Sequence, residues 1–347
     1  MSVGAESGTE PGAGTGVGMG VGMGVGMGAE APPARRRPAR ATALAALVFA
    51  LLAVAPFAAE WAGGGYLVSL LMKAMLLAIA AVSLDLLVGH GGLVSFGHAA
   101  FVALGAYATG IALEEGLLYG PAILALALGV SALFALATGA VSLRTSGVQF
   151  IMITLAFGQM AFFTLSSLSR YGGDDGLTLW SSPELHGAPW LTNGGGLYFV
   201  TLAALAGAWW LVNRVALSRF GRVLRAAKEN PTRVEVMGFS VYRYRLAAYV
   251  LAGTLAGLAG FLSACHAEFV SPAAAAWQRS GELIAVVVLG GLGTPLGPIL
   301  GALFFVLVEE ALSRVVADWR LVFGPLLVAV VLFTRGGLAG LLGGARR

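Results

Sequence analysis

The sequence predicts an all-α membrane protein, a polytopic bundle of about nine to ten transmembrane helices with broken or re-entrant Gly-rich segments. Three observations predict it. Hydrophobic residues fill 58% of 347 positions and charged residues only 11%, against roughly 25% charged in soluble domains. The apolar residues fall in runs near the ~20 that a spanning helix needs. The chain also carries 51 glycines, a residue better tolerated in membrane helices than in soluble ones.

Taken in order, candidate spans lie near 42–59, 66–88, 98–113, 121–143, 148–168, 197–213 and 246–265. Residues 282–309 are too long for one comfortable span and are broken by GGLGTPLGP, which suits two short helices meeting at a break. A last span lies near 321–334. Before them, residues 1–40 form a Gly-rich, basic tail expected to be disordered and cytoplasmic. Arg35–Arg40 follow the Gly-rich repeat and directly precede the first apolar run, an order unlike that of a signal peptide. The transmembrane body runs over 41–334, and 335–347 is a short C-terminal tail.

The net charge of +4 sits mainly in loop clusters, which is an orientation signal rather than a nucleic-acid footprint. The loop 214–245 carries Arg214, Arg219, Arg222, Arg225, Lys228, Arg233, Arg243 and Arg245, so it is expected inside, as are Arg35–Arg40. Six spans separate the two clusters, which is consistent. Reading 282–309 as two helices also puts Arg335, Arg346 and Arg347 inside, so ten spans with both termini cytoplasmic is the preferred topology. The segment 169–196, with Asp174, Asp175, Trp180 and Trp190, then faces outward. A single cysteine, Cys265, excludes an internal disulfide.

Two segments look alike: GGLVSFGHAAFVALGA from Gly91 and GGLGTPLGPILGALFF from Gly290. Each places Ser95 or Thr294 after Gly-Gly-Leu, within helix breaks at Gly91, Gly92 and Gly97 and at Gly290, Gly291 and Gly297. Paired interruptions in two halves of a transporter point to the substrate path; similar packing needs of glycine explain the likeness equally well. Ser95, His98, Thr154, Gln159 and Thr294 are the candidate pathway residues. Gln159 either lines a polar path or bonds between helices. Asp85, near the inner end of its span, is read as a cap or a partner of a neighbouring helix, because charge is costly in lipid. Ser95 and His98 share a face if both are helical. A structural bond suits them better than a nucleophile–base pair, which needs an oxyanion site as well. No HExxH and no GxxxxGK[ST] occurs, so no metal centre and no ATP hydrolysis is expected of this chain.

Within the basic loop, residues 219–229 have a helical pattern with Phe220, Val223, Leu224 and Ala227 on one face. Pro231 interrupts, and a second short helix is expected over Thr232–Met237. Two such helices either dock in a partner's groove or form an ordinary topology-setting loop. The wording GRVLRAAKENPTRVEVMGFSVYRYRLAAYVLAG resembles the coupling loop of ABC-transporter permeases and is similar to branched-chain amino acid permeases of the LivM type. LDLLVGHGGLVSFGHAAFVALGAYA (84–108), GVQFIMITLAFGQM (147–160), YGGDDGLT (171–178) and VVVLGGLGTPLGPILGA (286–302) fit the same pattern in the same order, so the likeness covers about 66–334.

The resemblance implies a cell-membrane importer for branched-chain amino acids. Its partners would be a second, LivH-type permease subunit in a heterodimer, two cytoplasmic ABC ATPases using ATP-Mg, an extracytoplasmic substrate-binding protein and the lipid bilayer. It implies no cofactor on this chain and no enzymatic activity. Carried over by position, Arg222, Arg225, Glu229, Glu235 and Gly238 would belong to the ATPase-coupling loop, although Val236 and Met237 stand where the family usually has alanines. Permeases for urea or short amides share the scaffold. The rival from another transport class is an ion-coupled secondary transporter, which would work without an ATPase.

Overall fold

The computed structural model describes residues 39–61, 65–184, 195–315, 319–333 and 337–343. The expected N-terminal tail and the arginines Arg335, Arg346 and Arg347 lie outside them. Thirteen helices follow in order: α1 Ala39–Trp61, α2 Gly65–Asp85, α3 His98–Glu114, α4 Gly120–Ser142, α5 Val148–Ser166, α6 Gly195–Leu217, α7 Arg219–Glu229, α8 Pro231–Val236, α9 Val241–Ala267, α10 Trp277–Gly290, α11 Gly297–Ser313, α12 Trp319–Phe333 and α13 Gly337–Gly343. The chain is thus an all-α membrane protein. Among the described residues, five segments are long and apolar enough to cross a membrane: Gly65–His90, Gly120–Ser142, Val148–Ser166, Gly195–Leu217 and Val241–Ala267.

Helix α9 is the axis of the bundle, packed against α2, α3 and α4. Lipid offers no hydrophobic drive for helices to associate, so close van der Waals contact must hold them. Small residues provide it. A Cβ added at Gly105 of α3 would collide with the backbone of Gly257 in α9, so the two helices touch main chain to main chain there. Hydroxyls within the bundle are satisfied locally: Thr109 donates to Gly105 O at 2.8 Å, Thr138 to Phe134 O at 2.7 Å and Thr201 to Leu197 O at 2.9 Å. Each bond removes a polar group that the apolar interior could not solvate.

The expected 282–309 segment is two helices, α10 and α11, separated by residues 291–296. An unexpected feature lies at the opposite end of the bundle from α7 and α8, where β1 (Leu177–Thr178) pairs antiparallel with β2 (Phe269–Val270). This ribbon fixes the YGGDDGLT loop over the end of α3, with Leu177, Leu179 and Val270 against Gly110. Beside it, the Glu115 carboxylate accepts from Arg170 at 2.6 Å and from the Tyr171 hydroxyl at 2.8 Å. That second bond pushes the Tyr171 phenol above its ordinary range.

Candidate coupling face and glycine breaks

Helices α7 and α8 are built by capping. Ser218 caps α7 by accepting from Gly221 N at 3.4 Å, and Asn230 caps α8 by accepting from Arg233 N at 3.0 Å. Pro231 takes the first position of α8, where its missing N–H costs nothing. Gly238 ends the pair at φ +87°, with its amide on Glu235 O at 2.9 Å. Of the expected face of the first helix, Leu224 and Ala227 are buried, together with Gly221, and Phe220 and Val223 are half-buried. The second starts one residue earlier than expected and stops at Val236. Arg245 Nη2 donates to Ala227 O at 3.1 Å, which ties the end of α7 to α9. Arg222, Arg225, Glu229, Glu235 and Gly238 are all exposed. So are Val236 at 84%, Met237 at 58% and Phe239 at 42%, an apolar tip on a basic face.

The buried side of α7 rests on the first glycine break. Leu224 Cδ1 lies 3.7 Å from where a Cβ on Gly91 would stand, and the Lys228 stem 2.7 Å from one on Gly92. Lys228 Nζ donates to Gly89 O at 2.9 Å. Gly89 lies in a π-helical turn, Leu86–His90, that ends α2. Such a wide turn disturbs the regular ladder and is followed here by Gly92 at φ +68°, a conformation that disfavours any residue with a Cβ.

The two breaks meet. Asp85 Oδ1 accepts from Gly293 N at 2.8 Å, joining α2 to the loop between α10 and α11. A Cβ at Gly89 would collide with that same oxygen and stand 2.5 Å from Gly293 N. Trp209 of α6 donates to Pro295 O at 2.6 Å, and a Cβ on Gly337 of α13 would stand 2.5 Å from the Gly291 backbone.

Ser95 precedes α3, so it does not share a helical face with His98. Its Oγ accepts from Gly97 N at 3.4 Å. His98, fully buried, meets Ser83 Oγ instead, at 2.8 Å. Because Ser83 already donates to Ala80 O at 2.7 Å, the network assigns the proton to His98 Nε2. This neutral imidazole is therefore a strut between α2 and α3. Thr154 takes Phe96 N at 3.3 Å, and Ser280 of α10 takes Ala99 N at 3.0 Å. A Cβ at Gly97 would strike Thr154 O. Gln159 is half-buried on α5. Thr294 donates to Gly291 O at 2.7 Å, inside its own break, and a Cβ at Gly297 would strike its hydroxyl. Thus Ser95, His98 and Thr154 gather around the first break, whereas Thr294 belongs to the second. Gly89 and Ser280 went unnoticed in the sequence, and Lys228 entered only as one of the loop's orienting charges. An acidic residue in an apolar run, three positions before VGHGG, was the one signal for the Asp85 contact.

A helical membrane protein with paired glycine breaks and a basic helical loop resting on one of them has the architecture of a transport-system permease. The model of the branched-chain amino acid transport system permease component family matches residues 66–332, and the chain belongs to that family. It is therefore a permease subunit of the ABC-transporter type and not an enzyme. It is 29% identical to the high-affinity branched-chain amino acid transport system permease protein LivM of Salmonella typhimurium over 287 residues, 76% of this chain and 68% of that one. For the LivM protein of Escherichia coli the figure is 28% over 291 residues, with the same coverage. The autoinducer 2 import system permease protein LsrC of Enterobacter sp. is 30% identical over 250 residues, 68% of this chain and 69% of that one. No solved structure matches.

Proposed function

We propose that this chain forms one half of the translocation pathway of an ABC importer for branched-chain amino acids. The observation that carries the reading is the position of α7: its buried side touches the first glycine break through Leu224 and Lys228, while the tip beyond it exposes Val236 and Met237. A helix so placed transmits force from a soluble partner to broken membrane helices. The partner is an ATPase, one of two that use ATP-Mg. The other half of the pathway is a LivH-type permease subunit, and an extracytoplasmic binding protein delivers the substrate. In this reading the basic face is cytoplasmic, α10 and α11 are separate spans, and ten spans leave both termini inside.

The substrate class follows the LivM relatives. The likeness to an autoinducer 2 permease shows that one scaffold accommodates other cargo, so the test must allow for it. The chain is assembled with a LivH-type permease, ABC ATPases and a leucine-binding protein and reconstituted in vesicles enclosing ATP. Expected is leucine uptake that requires both ATP and the binding protein. Replacing Val236 and Met237 by Asp should release the ATPases and lower uptake by about tenfold or more, the loss of one central apolar anchor. ATP-dependent uptake of urea or a short amide in place of leucine would overturn the substrate class. Uptake by the chain alone, driven by an ion gradient, would overturn the ABC reading.

A further inference from the structure

Asp85 is 2% exposed, in a helix surrounded by apolar neighbours. A carboxylate there is costly unless it is held by a donor. Its donor is a backbone amide, that of Gly293, at 2.8 Å, and its other oxygen faces His90 Nδ1 at 3.9 Å. The contact spans 208 residues of sequence and joins the end of α2, where it passes into the π turn, to a loop that has no helical ladder of its own. Glycine at both sides makes it achievable. Gly89 has no room for a side chain beside Asp85 Oδ1 and Gly293 N, and a Cβ at Gly293 would come within 3.4 Å of Gly89 O. Gly89 is also the residue whose carbonyl Lys228 of α7 holds at 2.9 Å. Gly89 is thus held from the basic face by a lysine and lies within the bundle against the carboxylate that holds the second break.

We propose that Asp85 is a positioning residue that locks the two glycine breaks into one moving element, with Lys228 as the handle by which α7 displaces both. This deepens the transport reading above and rests on it for the role, though not for the lock itself. The requirement is a hydrogen-bond acceptor at Oδ1, so Asp85→Asn should preserve the lock and Asp85→Ala should break it.

The test has two arms. Amide hydrogen exchange of the purified full chain in lipid nanodiscs is followed over a peptide covering 290–297. Asp85→Ala should exchange about tenfold faster there or more, the equivalent of losing one hydrogen bond, while Lys228→Met stays within about twofold of wild type and Asp85→Asn, which keeps an acceptor, lies nearer wild type than Asp85→Ala. In the assembled transporter, ATP hydrolysis is measured with and without substrate-loaded binding protein. Asp85→Ala and Lys228→Met should keep basal hydrolysis and lose its stimulation, and Asp85→Asn should retain it. A merely structural Asp85 would lower assembly and basal hydrolysis together, which overturns the role. Unchanged exchange in Asp85→Ala overturns the lock, as does Asp85→Asn behaving like Asp85→Ala. If the wild-type assembly does not respond to leucine-loaded binding protein, the transport reading falls, and the exchange arm still decides the lock.

Discussion

The two glycine breaks resemble each other in sequence and are held in different ways. Around the first, three main-chain amides at Phe96, Gly97 and Ala99 are taken by the neutral hydroxyls of Thr154, Ser95 and Ser280. The Gly97 main chain also presses directly on α5. Around the second, a carboxylate takes the Gly293 amide and an indole holds the Pro295 carbonyl. Neutral hydrogen bonds contribute about 0.5–1.5 kcal/mol each and bonds to a charged group about 1.5–3. Close main-chain packing is common to both breaks; the first adds several neutral bonds, and the second adds one bond to a carboxylate beside a neutral one from an indole.

Substitutions that break this contrast have a clear order. Gly97→Leu should have the largest effect, because its Cβ would collide with the Thr154 main chain and backbone cannot step aside. No folded chain should be recovered, as read by size-exclusion chromatography in detergent; a normal monodisperse peak would refute the packing account. Ser280→Ala leaves the Ala99 amide buried without its acceptor and should cost about 1–3 kcal/mol, seen as a lower melting temperature. Trp209→Phe keeps a ring beside Phe49, whose centroid lies 5.5 Å away, and loses the bond to Pro295. A cost of about 1 kcal/mol is expected, the smallest of the three, and a larger drop than for Ser280→Ala would reverse the ranking.

The helices were legible because membrane spans declare themselves by length and apolarity, and the break at residues 291–296 because GGLGTPLGP cannot continue a helix. The two-helix form of the basic loop was legible from Pro231 and the apolar spacing around Leu224. Other features were not. Nothing in the sequence marks the π turn at Leu86–His90, which depends on tertiary contact. Asp85 was visible as a costly residue in need of a partner, yet its partner is an amide, and every residue but proline offers one. The expected Ser95–His98 face failed for a simple reason: α3 begins at His98, so helical spacing does not apply to Ser95. The β1–β2 ribbon joins two-residue strands, too short to show alternation.

The bare tip at Val236, Met237 and Phe239 has a consequence for the living cell. Helices α7 and α8 carry too much charge to sink into lipid, so in the reading proposed above the tip stays in water until the ATPase covers it. Copies made in excess of that neighbour display a permanent sticky knob, the kind of surface that chaperones and proteases patrol. The steady-state abundance of this subunit should therefore follow the synthesis of its counterpart more closely than its own messenger level.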